Sequence, residues 1–145
     1  MNVLIRSQNV GAVIVFGIFA LGLGALSSAE PVKKTRISKI DSVKLSVSSV
    51  MKIKVSATGK VPTSGWTEPQ LVPSPRTDKP ENSDAVTMHF DFVATKPTGV
   101  VNQVETTIDA ETMCPDPGVG KTLKVIVHSE TNEESDSIKS TGDPR

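Results

Sequence analysis

The sequence predicts an all-β protein: an immunoglobulin-like antiparallel β-sandwich of about seven strands, preceded by a signal peptide. Three observations carry this expectation. Residues 30–145 contain 27 Val, Ile, Leu and Met side chains, of which 21 are Val or Ile, and β-branching fits a pleated surface while restricting rotamers in a helix. Apolar residues recur with a period of two, and no 3.6-residue stripe follows Ala29. Clusters of Pro, Gly, Asn and Asp separate the alternating runs at the spacing expected of a sandwich.

The first 29 residues stand apart. Arg6 is their single charge, residues 10–26 are uncharged, and Ser27-Ser28-Ala29 precedes Glu30. Small side chains at Ser27 and Ala29 suit a signal-peptidase pocket, so residues 1–29 read as a signal peptide cleaved before Glu30. The competing reading is an uncleaved anchor, because the run approaches the roughly 17 residues that can just span a bilayer. Gly11, Gly17, Gly22 and Gly24 favour the cleavable segment. No cysteine lies at the cleavage site, which excludes a lipoprotein. Residues 30–128 then form the sandwich domain and residues 129–145 a disordered acidic tail.

The strands follow in order. A short one lies near residues 37–40. Val43, Leu45 and Val47 alternate with Lys44 and Ser46, and Met51, Ile53, Val55 and Ala57 alternate with Lys52, Lys54 and Ser56. Another is expected around residues 66–72, with Trp66 as a core anchor or, alternatively, an exposed contact residue. Five of the ten prolines lie between Pro62 and Pro80, so residues 73–84, which lack apolar periodicity, are expected to form a long exposed loop. Met88, Phe90, Phe92 and Ala94 share one face of the next strand, and Phe90 and Phe92 make that face the buried one. Val104, Thr106, Ile108 and Ala110 alternate with Glu105, Thr107, Asp109 and Glu111 until Cys114-Pro115-Asp116-Pro117-Gly118 stops the run. Leu123, Val125 and Val127 form the last strand. The end of the chain, residues 129–145, carries five acids and a single strong apolar residue, Ile138, too little to bury against a core.

Candidate chemistry is sparse. Gly118-Val119-Gly120-Lys121-Thr122 imitates the end of a phosphate-binding loop, but Pro115 stands where the first glycine belongs and a strand, not a helix, follows. A hairpin turn is expected there. His89 and Asp91 share a strand face at i and i+2, and His128 lies on another strand, so these three residues are the candidate metal ligands; ordinary exposed strand residues are the competing and preferred reading. Cys114 has no partner for an intramolecular disulfide and no neighbour that would activate it, which leaves a structural role, with an intermolecular disulfide as the alternative. No serine elbow, catalytic triad or pKa-raised carboxylate pair is present, so an enzyme is not expected and no cofactor is implied.

Fifteen basic and sixteen acidic side chains after Ala29 exclude a general nucleic-acid binder. The distribution is uneven: residues 30–60 carry eight bases and two acids, and residues 61–145 carry seven bases and fourteen acids. Lys44, Lys52, Lys54 and Lys60 fall on one strand face and are the candidate interaction residues, a basic strip for an acidic partner. The competing and preferred reading is a solvated sheet face with cross-strand pairing to Glu105, Asp109 and Glu111.

Gly65-Trp66-Thr67-Glu68-Pro69-Gln70-Leu71, followed by His89-Phe90-Asp91-Phe92-Val93-Ala94 and, past a Pro-Thr-Gly turn, Gln103-Val104, resembles small uncharacterised exported bacterial β-sandwich proteins over roughly residues 40–127. These motifs are structural, and the resemblance implies export but no activity. The expected function is that of a non-catalytic binding or interaction module in the periplasm or outside the cell. Its partner would be a protein or an anionic cell-surface polymer, and it would touch the membrane only through the signal segment before cleavage. The alternatives are a periplasmic small-ligand or metal-binding protein using His89, Asp91 and His128, and a secreted enzyme inhibitor presenting residues 62–80.

Overall fold

The computed structural model describes residues 33–49, 51–78 and 84–141. Residues 1–29, the expected signal peptide, lie outside them. Eight strands run in chain order: β1 (Lys34–Arg36), β2 (Lys39–Ser49), β3 (Lys52–Val61), β4 (Thr67–Pro73), β5 (Ala85–Thr95), β6 (Thr106–Pro115), β7 (Thr122–His128) and β8 (Glu133–Lys139). No helix occurs among the described residues.

The strands form two sheets, one of β2-β3-β6 and one of β1, β4, β5, β7 and β8. β3 shows why alternation was a sound guide: Ile53, Val55, Ala57 and Val61 point inward and are buried, and the lysines between them do not. From the other sheet, Phe90, Phe92 and Ala94 of β5 and Leu123, Val125 and Val127 of β7 meet them in one core. Phe92 is fully buried, as the phase of Met88, Phe90 and Phe92 requires. Trp66 is half-buried against this core, its indole N–H donating to Thr63 Oγ1 at 3.0 Å. Cys114 is buried as well, and its thiol donates to the Ile53 carbonyl at 3.5 Å.

Three expectations need correction. First, the sandwich is not purely antiparallel, since β5 and β7 pair in parallel, with Ala85 opposite Thr122 and Asp91 opposite His128. The same edge of β5 continues with β1, whose Arg36 sits opposite Val93, while β4 occupies the other edge. Second, the acidic segment read as a disordered tail contains β8, which is laddered along the whole of β7 from Thr122↔Lys139 to His128↔Glu133. Backbone hydrogen bonds along β7 hold it there, with Ile138 as its one strong apolar contact to the core, which is why its composition hid it. Third, residues 118–122 do not close a hairpin. β6 and β7 belong to different sheets, and Gly118 and Gly120 adopt positive φ (101° and 80°) in a turn that crosses between them. The strand expected around residues 66–72 is β4, which pairs with β5.

Candidate functional site

The chemistry-bearing side chains gather on the outer face of the five-stranded sheet. His89 and Asp91 point away from Phe90 and Phe92, and strict alternation would expose them. They are buried instead, as are Val93, Ile126 and His128 beside them. β5 and β7 lie inside the sheet, and a strand flanked on both edges can be covered on both faces. Here residues 74–78 cross the sheet face, tied down by the Ser74 N–H donating to the His89 carbonyl at 2.9 Å.

The parallel register brings the two histidines together. His89 Nδ1 lies 3.0 Å from His128 Nε2, with ring planes 9° apart and ring centroids 5.3 Å apart. The rings therefore meet edge to edge, nitrogen to nitrogen, as a hydrogen-bonded pair. At the outer ends, Asp78 Oδ2 is 3.1 Å from His89 Nε2, a polar contact off the line of a hydrogen bond. Glu133 Oε2 is 3.0 Å and Arg76 Nη1 3.1 Å from His128 Nδ1. Asp91 is held by Arg36, whose Nη2 lies 3.0 Å from both carboxylate oxygens. Burial, reinforced by the Arg76 guanidinium, pushes the His128 imidazole below its ordinary range.

This geometry does not make a metal centre. Each histidine spends one nitrogen on the other, and the Asp91 carboxylate is engaged by Arg36. Among the described residues no group of three or more His, Cys, Asp or Glu side chains is placed to hold a metal ion. The reading of His89, Asp91 and His128 as exposed strand residues is also overturned: they form a buried polar network. Sequence reasoning saw that the three could meet if their strands were neighbours, but it missed Arg36, Arg76 and Glu133. The β1–β5 pairing, the parallel β5–β7 pairing, the β7–β8 ladder and the segment after β4 make them neighbours.

The candidate interaction lysines all lie on the outer face of the three-stranded sheet, in two different situations. Lys54 Nζ is 2.7 Å from Glu111 Oε1, and Lys60 Nζ is 2.7 Å from Glu105 Oε1. The hydrogen bond from Lys54 holds the Glu111 carboxyl below its ordinary range, and the bond to Glu105 raises Lys60 above its own. Thr58 Oγ1 donates to Asp109 Oδ1 at 2.6 Å, which completes a cross-strand polar ladder between β3 and β6. Lys44 and Lys52 are exposed and, among the described residues, have no ion pair. The strip is thus half neutralised by its own sheet. Cys114 is no better placed as a nucleophile, since burial pushes its thiol above the ordinary range.

One further feature was not legible from composition. The turn between β2 and β3 carries Met51 at φ 64° with 76% of its surface exposed. Val47 and Met113 are exposed large apolar residues at the same end, on opposite faces of the three-stranded sheet, and the Met51 carbonyl accepts from the Asp116 N–H at 3.1 Å.

Comparison with known proteins returned no matching family model, no similar curated protein and no similar solved structure.

Proposed function

We propose that the protein is an exported, non-catalytic β-sandwich that acts as a binding module in the periplasm or outside the cell, contacting a protein partner through the exposed β2–β3 turn at Met51. The two-layer all-β build supports an immunoglobulin-like sandwich in the broad sense, with the parallel β5–β7 pair as its own departure in strand order. Met51 carries the reading. A residue with a Cβ at positive φ costs about 1–2 kcal/mol, and glycine or asparagine in a tight turn would avoid that cost. Exposed as it is, Met51 recovers little of it by packing. An adaptable thioether retained at such a position is well suited to contact. Lys52 adjoins it and supplies a positive rim, whereas Lys54 and Lys60 are occupied by Glu111 and Glu105.

The test is capture from the envelope fraction of the source cell, at low and moderate salt, by wild type, Met51→Gly and a Lys52→Gln/Lys54→Gln double variant. Glycine suits the turn, so Met51→Gly keeps the fold. Loss of capture by this variant alone is the expected result. Salt-steep capture lost only in the lysine variant would move the site to the basic strip, and unchanged capture by both variants would overturn the proposal.

A further inference from the structure

His128 Nδ1 has two neighbours at hydrogen-bond distance that make opposite demands on it. Arg76 Nη1, at 3.1 Å, can only donate. The ionised Glu133 carboxylate, at 3.0 Å, can only accept. A bare Nδ1 suits Arg76 and a protonated Nδ1 suits Glu133, so no single protonation state serves both.

The far end of the chain assigns the neutral arrangement. If His128 Nδ1 carried the proton of a neutral ring, its Nε2 would have to accept from His89 Nδ1. His89 Nε2 would then turn a lone pair toward Asp78 Oδ2 at 3.1 Å. The opposite order leaves no such clash: Arg76 donates to His128 Nδ1, His128 Nε2–H donates to His89 Nδ1, and His89 Nε2–H faces the Asp78 carboxylate. In this order the one nitrogen open to an added proton, without breaking the His89–His128 bond, is His128 Nδ1.

We propose that the His89–His128 pair is a one-proton switch that exchanges Arg76 for Glu133 on His128 and so releases Arg76 from the sheet face when the surroundings acidify. The added proton enters on His128 Nδ1, the Arg76 hydrogen bond is lost, and the new N–H donates to Glu133. The histidine–histidine bond and the Asp78 contact persist. Charge around the pair suits one proton. Arg36 from β1 and Arg76 from the segment after β4 face Asp78, Asp91 from β5 and Glu133 from β8. Three carboxylates against two guanidinium groups leave one negative charge to be met. Burial of His128 places the switch on the acid side of the ordinary imidazole value of 6.5. This inference does not rest on the turn proposed above.

The experiment is an NMR pH titration of the purified protein, following the His128 imidazole together with the Arg76 and Thr77 backbone amides. The expected result is one shared midpoint below pH 6.5. Arg76→Ala, a substitution at an exposed position, is expected to raise the His128 midpoint by about one pH unit and to abolish the response of the Thr77 amide. Glu133→Ala is expected to lower the midpoint. The proposal is overturned if His128 titrates while the two amides do not respond, if Arg76→Ala leaves the midpoint in place, or if His128 takes up no proton before acid unfolding.

Discussion

Asn132 completes the edge of a strand to which it does not belong. Its Oδ1 accepts from the Ile40 N–H at 2.8 Å and its Nδ2 donates to the Ile40 carbonyl at 2.9 Å, so a side-chain amide reproduces the pairing a neighbouring strand would offer. The turn that carries it is pinned by Ser129, whose Oγ accepts from the Asn132 N–H at 3.0 Å. Further along, Asp136 Oδ2 accepts from the Leu45 N–H at 2.9 Å. β8 of one sheet thus blunts the free edge of β2 in the other, where unpaired backbone groups would otherwise invite a foreign strand.

Asn132→Ala removes both hydrogen bonds to Ile40 and is expected to destabilise the fold by about 2 kcal/mol, at roughly 1 kcal/mol for each bond. Asn132→Asp should not restore the loss, because a carboxylate would face the Ile40 carbonyl without a donor. Urea unfolding of the two variants measures both effects. A cost under about 0.5 kcal/mol for the alanine variant would mean that water replaces the amide at no penalty.

Phe92 is fully buried at the centre of β5 and packs between the sheets. Phe92→Ala should therefore cost about 3–5 kcal/mol in urea unfolding, a large part of the stability of a domain this size. A value near 1 kcal/mol would contradict the tight inter-sheet packing.

Gly59 is required by space rather than by backbone conformation. A Cβ there would stand 2.6 Å from the Lys39 carbonyl oxygen and would overlap the Ile37 Cδ1, where β2 passes with a register shift between Ile40 and Ser42. Gly59→Ala is expected to destabilise by about 1–3 kcal/mol through overpacking. Adding Ile37→Val should rescue only part of this, since trimming that side chain leaves the backbone oxygen in place. Thermal melting of the single and double variants decides it, and full rescue would show that the side chain alone was the obstacle.

Stability should fall as pH drops below about 6.5. His128 is held below its ordinary value of 6.5, first by burial and then by Arg76. Below about pH 6.5 the unfolded chain therefore binds a proton that the native state resists, and the unfolded state gains until pH passes the native value. Above that window both states are neutral and the group contributes nothing to the pH dependence. Urea midpoints of wild type and His128→Asn at about pH 7.5, 6.5 and 5.5 test this, with a shallower slope expected for the variant. Equal slopes would assign the acid sensitivity to other groups.

Much of the fold was legible because alternation is a local property. Whether Ile53, Val55 and Ala57 share a face depends only on the strand rise, and the aromatic pair Phe90 and Phe92 settles which face of β5 is inward. The glycine-bearing turn after β6 could be read from Pro115, Asp116 and Pro117 in the same way. Pairing is not local. Nothing near Leu123 says that β7 runs parallel to β5, and that orientation sets His128 opposite Asp91 and beside His89.

The sequence by itself determined the all-β class, the inward phase of each long strand and the absence of any complete catalytic motif. Tertiary structure alone decided that His89, Asp91 and His128 are buried. Alternation assigns two faces to a strand, but only the elements packed over each face determine which of them meets water. It also decided that an acidic segment with one strong apolar residue becomes β8. A strand there needs a neighbour's backbone hydrogen bonds more than a hydrophobic pattern, and β7 supplies them along its full length. Met51 belongs to the same class, since its positive φ is imposed by the turn that joins β2 to β3 and cannot be read from the identity of the residue.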